Sequence, residues 1–280
     1  MSVETLPDKT SHKSRVFNLP NRGQTERARL VAFWSAPGSV GRTTTALNLA
    51  GCASAKMRAL VIDLDFVAPS VALLASTRDL PSLSTVLHNH QIARRLEESF
   101  LREFAPGFTS SPKSFRVIAG LSRPERWQEI EPRLLHDLLN DLAPFVDLIV
   151  CDLHAGSHKS LPVNAVARSV LAQADAVVAL ANANPLGLSR LLREIHELRA
   201  IRPSSESIHV VFNRLSAKNP EPPEVAAFVE LTKLPQPLTI RDDHDAFDLL
   251  VARASTKSTL RKRSAYQTDI QALTDKVMGL

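Results

Sequence analysis

A loop near the start of the chain carries the residue types that bind phosphate groups. Gly38 and Gly41 permit unusual backbone dihedrals, Arg42 supplies positive charge, and the Thr43 hydroxyl can ligate Mg²⁺. Backbone N–H groups of such a loop, together with the positive end of a following helix, bind anions. We therefore predict a nucleotide phosphate site at Gly38, Ser39, Val40, Gly41, Arg42, Thr43 and Thr44. Taken alone, the loop leaves open that it only joins a strand to a helix.

Carboxylates follow two apolar segments further along the chain. The run that starts at Leu60 ends in Asp63 and Asp65, and the run that starts at Leu148 ends in Asp152. Ligands of open parallel sheets bind at the carboxyl ends of the strands, and carboxylates there can hold Mg²⁺. We predict a magnesium site formed by Thr43, Asp65 and Asp152, although each aspartate by itself could instead cap a helix.

A third polar group follows another apolar run, which spans residues 208–212. Asn213 and Arg214 come directly after that run. An asparagine side chain offers both a donor and an acceptor, so Asn213 could bind the amino group and ring nitrogen of adenine. The alternative is an ordinary turn at the end of a strand.

The elements that position these residues alternate between strands and helices. Short β-rich runs occur at 30–34, 59–62, 115–119, 147–151, 176–180, 208–212 and 237–240. Segments with apolar residues at helical spacing lie between several of them, and the strands are continuously apolar, as in sheets covered on both faces. We predict an α/β fold with a single doubly wound, mostly parallel sheet of about seven strands and helices on both faces. Residues 1–28 are predicted to be a disordered tail and residues 29–280 one nucleotide-binding domain.

Composition favours a cytoplasmic protein. The chain has 280 residues with 44% hydrophobic content, enough for a substantial core, and no apolar run approaches the roughly 20 residues that span a bilayer. Its two cysteines, Cys52 and Cys151, have no partner spacing that indicates a metal site or disulfide. No leader-like segment occurs at the polar start of the sequence.

The net charge of +5 is concentrated near the end of the chain. Five basic residues and no acidic residue lie between Arg253 and Arg263. Such a segment can contact DNA or anionic lipid, and a lipid contact would place the protein at the inner face of the plasma membrane; the alternative is a solvated loop. The apolar stripe that follows, from Tyr266 to Met278, is expected to pack the last helix on the sheet rather than bind a membrane.

Taken together, four segments resemble the MinD/ParA family of deviant Walker A ATPases. They are Gly38–Thr45, Val61–Asp65, Leu148–Gly156 and Val210–Arg214, and the resemblance extends over about residues 29–275. The spacing is most similar to the CpaE-like branch associated with Flp/Tad pilus assembly, as is the stretch Phe115–Gly120 followed by Pro124-Glu125. The family resemblance implies the P-loop NTPase fold, ATP or ADP with Mg²⁺, and an ATP-dependent homodimer.

The resemblance also implies roles for single residues. Asp65 matches the switch I aspartate that positions the attacking water, so we predict it as the catalytic residue. Asp152 matches the Walker B aspartate, Gly156 the switch II glycine, and Asn213 and Arg214 the adenine-side motif. Three positions depart from the family loop: Pro37 replaces the signature lysine that reaches a partner subunit, Ser39 replaces the second glycine, and Arg42 replaces the second lysine.

These departures predict a protein that binds nucleotide but hydrolyses it weakly or not at all. Arginine keeps the positive charge at position 42, whereas Pro37 supplies no cation to a partner subunit. The expected role is a nucleotide-dependent localisation, partitioning or pilus-assembly factor that recruits a protein of a pilus, septum or partition machine. Alternatives are a pseudo-ATPase scaffold for protein contacts and a metabolic ligase of the same superfold.

Overall fold

Seven parallel strands form one sheet in the part of the chain that the computed structural model describes, namely residues 27–38, 40–93, 96–105, 115–204, 206–216, 218–219, 221–245, 247 and 264–279. The strands are β1 (Arg29–Ser35), β2 (Ala59–Leu64), β3 (Arg116–Ile118), β4 (Leu148–Leu153), β5 (Ala176–Asn182), β6 (Ile208–Leu215) and β7 (Leu238–Arg241). Their order across the sheet is β3-β2-β4-β1-β5-β6-β7. The predicted doubly wound sheet is therefore confirmed, with every predicted strand present.

Helices connect the strands and cover both faces of the sheet. They are α1 (Arg42–Ala53), α2 (Val71–Leu74), α3 (Leu83–Ile92), α4 (Glu98–Phe104), α5 (Pro132–Leu142), α6 (Asn164–Gln173), α7 (Pro185–Ile201), α8 (Pro223–Thr232) and α9 (Ala265–Met278). Two short 3₁₀ helices, Pro124–Glu129 and Ala143–Phe145, flank α5. No helix in the described ranges has the length and apolar character needed to cross a bilayer.

The central strand β1 is buried on both faces because its side chains alternate between two hydrophobic cores. Val31 and Phe33 pack in the core shared with α1 and α9, whereas Ala32 and Trp34 pack in the core shared with α5, α6 and α7. A strand with no solvent face must be apolar throughout, which explains the uninterrupted run in the sequence.

The last helix packs on the sheet, as the sequence predicts. Tyr266, Ile270, Leu273 and Val277 are all buried, in the same core as α1. This places the apolar stripe of α9 against the protein interior. The predicted disordered tail lies outside the described residues except for Arg27 and Ala28, and the basic segment Arg253–Arg263 lies outside them entirely.

The order of the strands fixes where polar residues can converge. β1 lies between β4 and β5, so the chain moves to one side of β1 for β2 to β4 and to the other for β5 to β7. Ligands of such sheets bind in the crevice at the carboxyl ends of the strands where this reversal occurs. The loop after β1 and the carboxylates at the carboxyl ends of β2 and β4 all lie at that edge.

Helix α7 begins very close to the carboxyl end of β5. The Asn184 side chain caps the helix by accepting a 2.8 Å hydrogen bond from the Gly187 N–H. A Cβ atom on Gly187 would lie 2.2 Å from the backbone oxygen of Asn182, so only glycine permits this approach. The first turns of α7 are thereby fixed beside the loop that follows β1.

We expect Leu191→Ala to lower the free energy of unfolding by about 2–5 kcal/mol, because Leu191 is fully buried beneath α7 and its truncation leaves a cavity. The matched control is Leu186→Ala on the same helix, where the leucine is 58% exposed and the change should stay within about 0.5 kcal/mol. Urea unfolding of both variants checks this. Equal losses would contradict the described packing of α7.

Candidate functional site

The loop between β1 and α1 depends on glycine at two positions. Gly38 and Gly41 have φ angles of 135° and 79°, which other residues rarely adopt. A Cβ atom on Gly41 would also lie 2.7 Å from the Asn213 side-chain nitrogen. Thr45 closes the start of α1 by hydrogen bonding the Gly41 carbonyl from both its N–H and its hydroxyl. Ser39, also predicted to bind phosphate, lies outside the described residues.

Arg42, the first residue of α1, turns its guanidinium toward two acidic side chains. Its Nη2 donates to Asp65 Oδ2 at 2.5 Å, and its Nε donates to Asp152 Oδ1 at 3.2 Å. Its Nη1 donates to the Ser35 hydroxyl at 2.9 Å. The Arg42 side chain is only 10% exposed, so these ion pairs are shielded from solvent. The guanidinium thus joins the ends of β1, β2 and β4.

Thr43 brings a hydroxyl to the same point. Its Oγ1 donates to Asp152 Oδ2 at 2.6 Å, and the Ser70 hydroxyl lies 3.4 Å from it. Both oxygens of Asp152 are therefore engaged, one by Arg42 and one by Thr43. The structure brings together the residues predicted to hold Mg²⁺, namely Thr43, Asp65 and Asp152, and Thr44 lies next to them on α1.

The two aspartates at the carboxyl end of β2 have different partners. Asp63 accepts hydrogen bonds from the backbone N–H groups of Asp65, Ser70 and Val71, so it fixes the turn and the start of α2. Asp65 uses one oxygen for the Val67 and Ala68 N–H groups and the other for Arg42. The helix-capping alternative thus describes Asp63, whereas Asp65 faces the loop.

Burial dominates the electrostatics of the two most enclosed carboxyl groups. Desolvation, reinforced by the nearby Asp152, raises the pKa of Asp63 to about 8. Desolvation also raises the pKa of Asp152, while the Arg42 guanidinium and the Thr43 hydroxyl oppose that rise. Arg42 and Thr43 therefore favour the charged form of a carboxylate that has lost its contact with water.

Asn213 joins the end of β6 to the loop. Its Nδ2 donates to the Val40 carbonyl at 2.8 Å, and its Oδ1 accepts from the Arg214 N–H at 2.8 Å. Arg214 is exposed and has a φ of 59°. The interpretation of Asn213 and Arg214 as adenine-binding residues stays a prediction, and in the described state the amide already supports the loop.

Two contacts at this edge are not evident from the sequence. Ser35 accepts from Arg42 through its hydroxyl and from the Gly156 N–H through its carbonyl, at 2.9 Å in each case. His154 is buried and hydrogen bonded through Nε2 to Asn164 Oδ1 at 2.7 Å. The position of Ser35, a polar residue at the end of the apolar run of β1, is the one feature of the sequence that indicates a role at this edge.

The oxygen atoms at this edge fit a hard cation. Thr43, Asp65 and Asp152 offer hydroxyl and carboxylate oxygens, which Mg²⁺ prefers. Among the described residues, no group of three or more His, Cys, Asp or Glu side chains has the geometry of a metal site. Mg²⁺ is typically bound by one or two carboxylates and completes its shell with phosphates and water, so this donor set suits a metal that enters with a nucleotide.

The fold and this site define the class of the protein. A glycine loop after the central strand of a parallel sheet, followed by a helix and faced by carboxylates from neighbouring strands, is the arrangement of P-loop nucleotide-binding proteins. The chain belongs to the family described as the CobQ/CobB/MinD/ParA nucleotide binding domain, whose model matches residues 31–247. No curated protein matches the chain.

Solved structures of low sequence identity share the fold. A ParA family ATPase from Chlorobium tepidum TLS is 19% identical, with a TM-score of 0.74 over 88% of this chain and 98% of that chain. The septum site-determining protein MinD from Pyrococcus horikoshii OT3, complexed with Mg-ADP, is 18% identical, with a TM-score of 0.68 over 89% and 96%. A chain of the MinC:MinD cell division protein complex from Aquifex aeolicus is similar, at 18% identity and a TM-score of 0.67 over 90% of this chain and 97% of that chain.

We expect Asp63→Asn to flatten the pH dependence of stability. The folded pKa of about 8 lies above the ordinary value of 3.8, so the native state retains a proton that the unfolded chain releases. This contribution to stability is present below pH 4 and is lost as the pH rises toward 8. Between pH 5 and pH 7.5 the variant should gain about 1–3 kcal/mol relative to the natural chain.

Urea unfolding at both pH values measures this difference. Asparagine keeps only one of the two oxygens that accept the three backbone hydrogen bonds, but that loss is the same at each pH and leaves the slope intact. Parallel stability profiles for the two proteins would show that Asp63 is already ionised in the folded state at neutral pH.

Proposed function

We propose that the protein binds ATP and ADP and acts as a nucleotide-dependent localisation, partitioning or pilus-assembly factor with weak or no hydrolysis. The observation that carries this proposal is the contact of Arg42 with both Asp65 and Asp152 at the edge of the sheet. This contact links the loop that would hold phosphates to the carboxylates that would hold Mg²⁺. It therefore bears on binding and on turnover.

Binding is supported by the position and chemistry of the loop. The residues Gly38, Val40, Gly41, Arg42, Thr43 and Thr44 lie between the carboxyl end of β1 and the first turn of α1. Backbone N–H groups, the helix dipole and an arginine all favour an anion there. Ser39 completes the predicted phosphate set, and Asn213 and Arg214 on β6 are proposed for the adenine side.

Slow hydrolysis is supported by the absence of a free cation on the loop. Pro37 is exposed but carries no charge, and Arg42 is already paired with two carboxylates. Phosphoryl transfer relies on positioning and on charge stabilisation of the transferring group. A loop whose one cation neutralises Asp65 and Asp152 has less charge available for that group.

Mg²⁺ would be held by Thr43, Asp65 and Asp152, and Asp65 would also orient the attacking water. The metal would supply charge to the phosphates when it is bound. Arg42 contacts the same oxygens, so it would have to release them as the metal enters. We therefore expect a weaker dependence of nucleotide binding on Mg²⁺ than in a protein without this contact.

The cellular role is proposed from the family. Solved structures with the same fold include a cell division ATPase and a putative plasmid partition protein, and another is a complex of MinC with MinD. By the same reasoning, this chain would dimerise with ATP and recruit a protein of a pilus, septum or partition machine. The CpaE-like resemblance favours a role in pilus assembly. The protein would act in the cytoplasm or at the inner face of the plasma membrane. Contact with lipid or DNA would fall to Arg253–Arg263.

We expect the natural chain to bind ADP and ATP and to turn ATP over slowly. The double variant Pro37→Lys/Arg42→Lys should turn ATP over at least about tenfold faster than Arg42→Lys alone, because a cation at position 37 adds stabilisation to the transferring phosphate. Asp65→Ala should abolish whatever turnover remains. Phosphate release from purified protein with Mg²⁺ measures each rate.

Binding and turnover have separate readouts, so either half of the proposal can fail alone. Titration with ADP in the presence and absence of Mg²⁺ tests binding. A natural chain that hydrolyses ATP as fast as the double variant, through Asp65, would overturn weak hydrolysis and leave binding intact. An absence of any nucleotide binding would overturn the function as a whole.

The same Arg42 contact also favours the second candidate, a pseudo-ATPase scaffold for protein contacts. The guanidinium neutralises the site without any ligand, as a scaffold that has lost nucleotide would require. The two candidates differ in whether nucleotide stabilises the protein, since a ligand that binds the native state raises its stability.

We expect a higher midpoint of thermal unfolding with Mg-ATP than without it. A midpoint that does not change up to millimolar nucleotide would favour the scaffold. A metabolic ligase would need a further substrate site.

A further inference from the structure

The phosphate loop has one cationic side chain, and that side chain is already paired with two carboxylates. Between Ala36 and Thr45 the sequence contains no lysine and no arginine other than Arg42. Arg42 donates to Asp65, Asp152 and Ser35. A bound di- or triphosphate brings two to four negative charges, and anions of this size are held by charge-assisted hydrogen bonds. Another cation is therefore needed beside the loop.

Helix α7 brings such a cation to the glycine at the start of the loop. The Nη1 atom of Arg190 lies 2.8 Å from the position that a Cβ atom would take on Gly38. Arg190 also lines a small cavity together with Pro37, Val40 and Asn184. The guanidinium thus lies close to the loop backbone at Gly38, a position that favours glycine because its φ is 135°.

The position of Arg190 is set by the fold and not by an ion pair. The capped first turn of α7 and the tight contact of Gly187 with β5 hold the helix against the sheet. Arg190 is exposed, and no ion pair within the described residues includes it. Glu194, one turn further along α7, has an oxygen 3.9 Å from the Cβ position of Gly156. The charge of Arg190 is therefore available to a ligand.

We propose that Arg190 binds the phosphates of the nucleotide within the same subunit, in place of the cation that Pro37 does not provide. This inference rests on the proposed nucleotide binding and adds a residue to it. The planar guanidinium can donate two hydrogen bonds to one phosphate group, and its rigid helix fixes the direction of approach. Phosphate is then held between the loop backbone and the side of α7.

The test compares two arginines on the same helix. Arg190→Ala should weaken ADP binding about tenfold or more, because charge-assisted hydrogen bonds to the phosphate are lost. Arg190→Lys should retain part of the affinity, as a charge without the planar fork. The matched control Arg193→Ala removes the same charge from an exposed position that lies toward α8, and it should bind ADP like the natural chain. Calorimetric titration gives each affinity.

Competition experiments separate phosphate contacts from general damage to the site. The affinity of each competitor is measured from its displacement of bound ADP, in Arg190→Ala and in the natural chain. The variant should lose affinity for pyrophosphate but keep its affinity for adenosine. Urea unfolding confirms that all the variants fold. A structural role for Arg190 would instead weaken pyrophosphate and adenosine alike, and that result would overturn the inference.

The remaining outcomes are also decisive. If the natural chain binds ADP and Arg190→Ala binds it equally well, Arg190 has no phosphate contact and the proposed function still stands. If Arg190→Ala and Arg193→Ala lose affinity equally, the effect is one of overall charge, and the inference is wrong. If the natural chain binds neither ADP nor pyrophosphate, both the inference and the proposed function fail.

Discussion

A carboxylate without access to water at the end of β4 is the constraint on which this site depends. Asp152 is fully buried, and an unpaired charge in that position would cost several kcal/mol. Arg42 and Thr43 compensate it, and both lie in the first turn of α1. The compensation therefore fixes the start of α1 against β4 and gives the intervening loop its course.

Much of this arrangement follows from the sequence, because buried parallel strands are continuously apolar and end in polar residues. That pattern gives the seven strands, and the common edge of their carboxyl ends brings Asp65 and Asp152 to the loop. The partners of Arg42 do not follow in the same way. An arginine in a phosphate loop can bind either the phosphate of a ligand or a carboxylate of the protein, and only the interatomic distances in the structure show which of these it contacts.

Long-range contacts are the other part that the sequence does not contain. Arg190 lies about 150 positions from Gly38 in a helix with several arginines, and no local pattern separates it from Arg193. Its position follows from the close contact between Gly187 and Asn182, which depends on how β5 and α7 meet. In the same way, the Asn213 side chain has the donor and acceptor groups needed to bind adenine, but its amide contacts Val40 because β6 ends beside the loop.

The contact between Arg42 and the two carboxylates has a consequence for how such a chain can evolve. A site that needs a bound cation to balance its acidic groups loses stability when the ligand is lost, and selection on folding then preserves binding. Here the balancing charge is part of the polypeptide. If the chain binds nucleotide as proposed, mutations elsewhere in the site that weaken this binding would leave the charge of Asp65 and Asp152 balanced, and the folded state would not depend on the ligand.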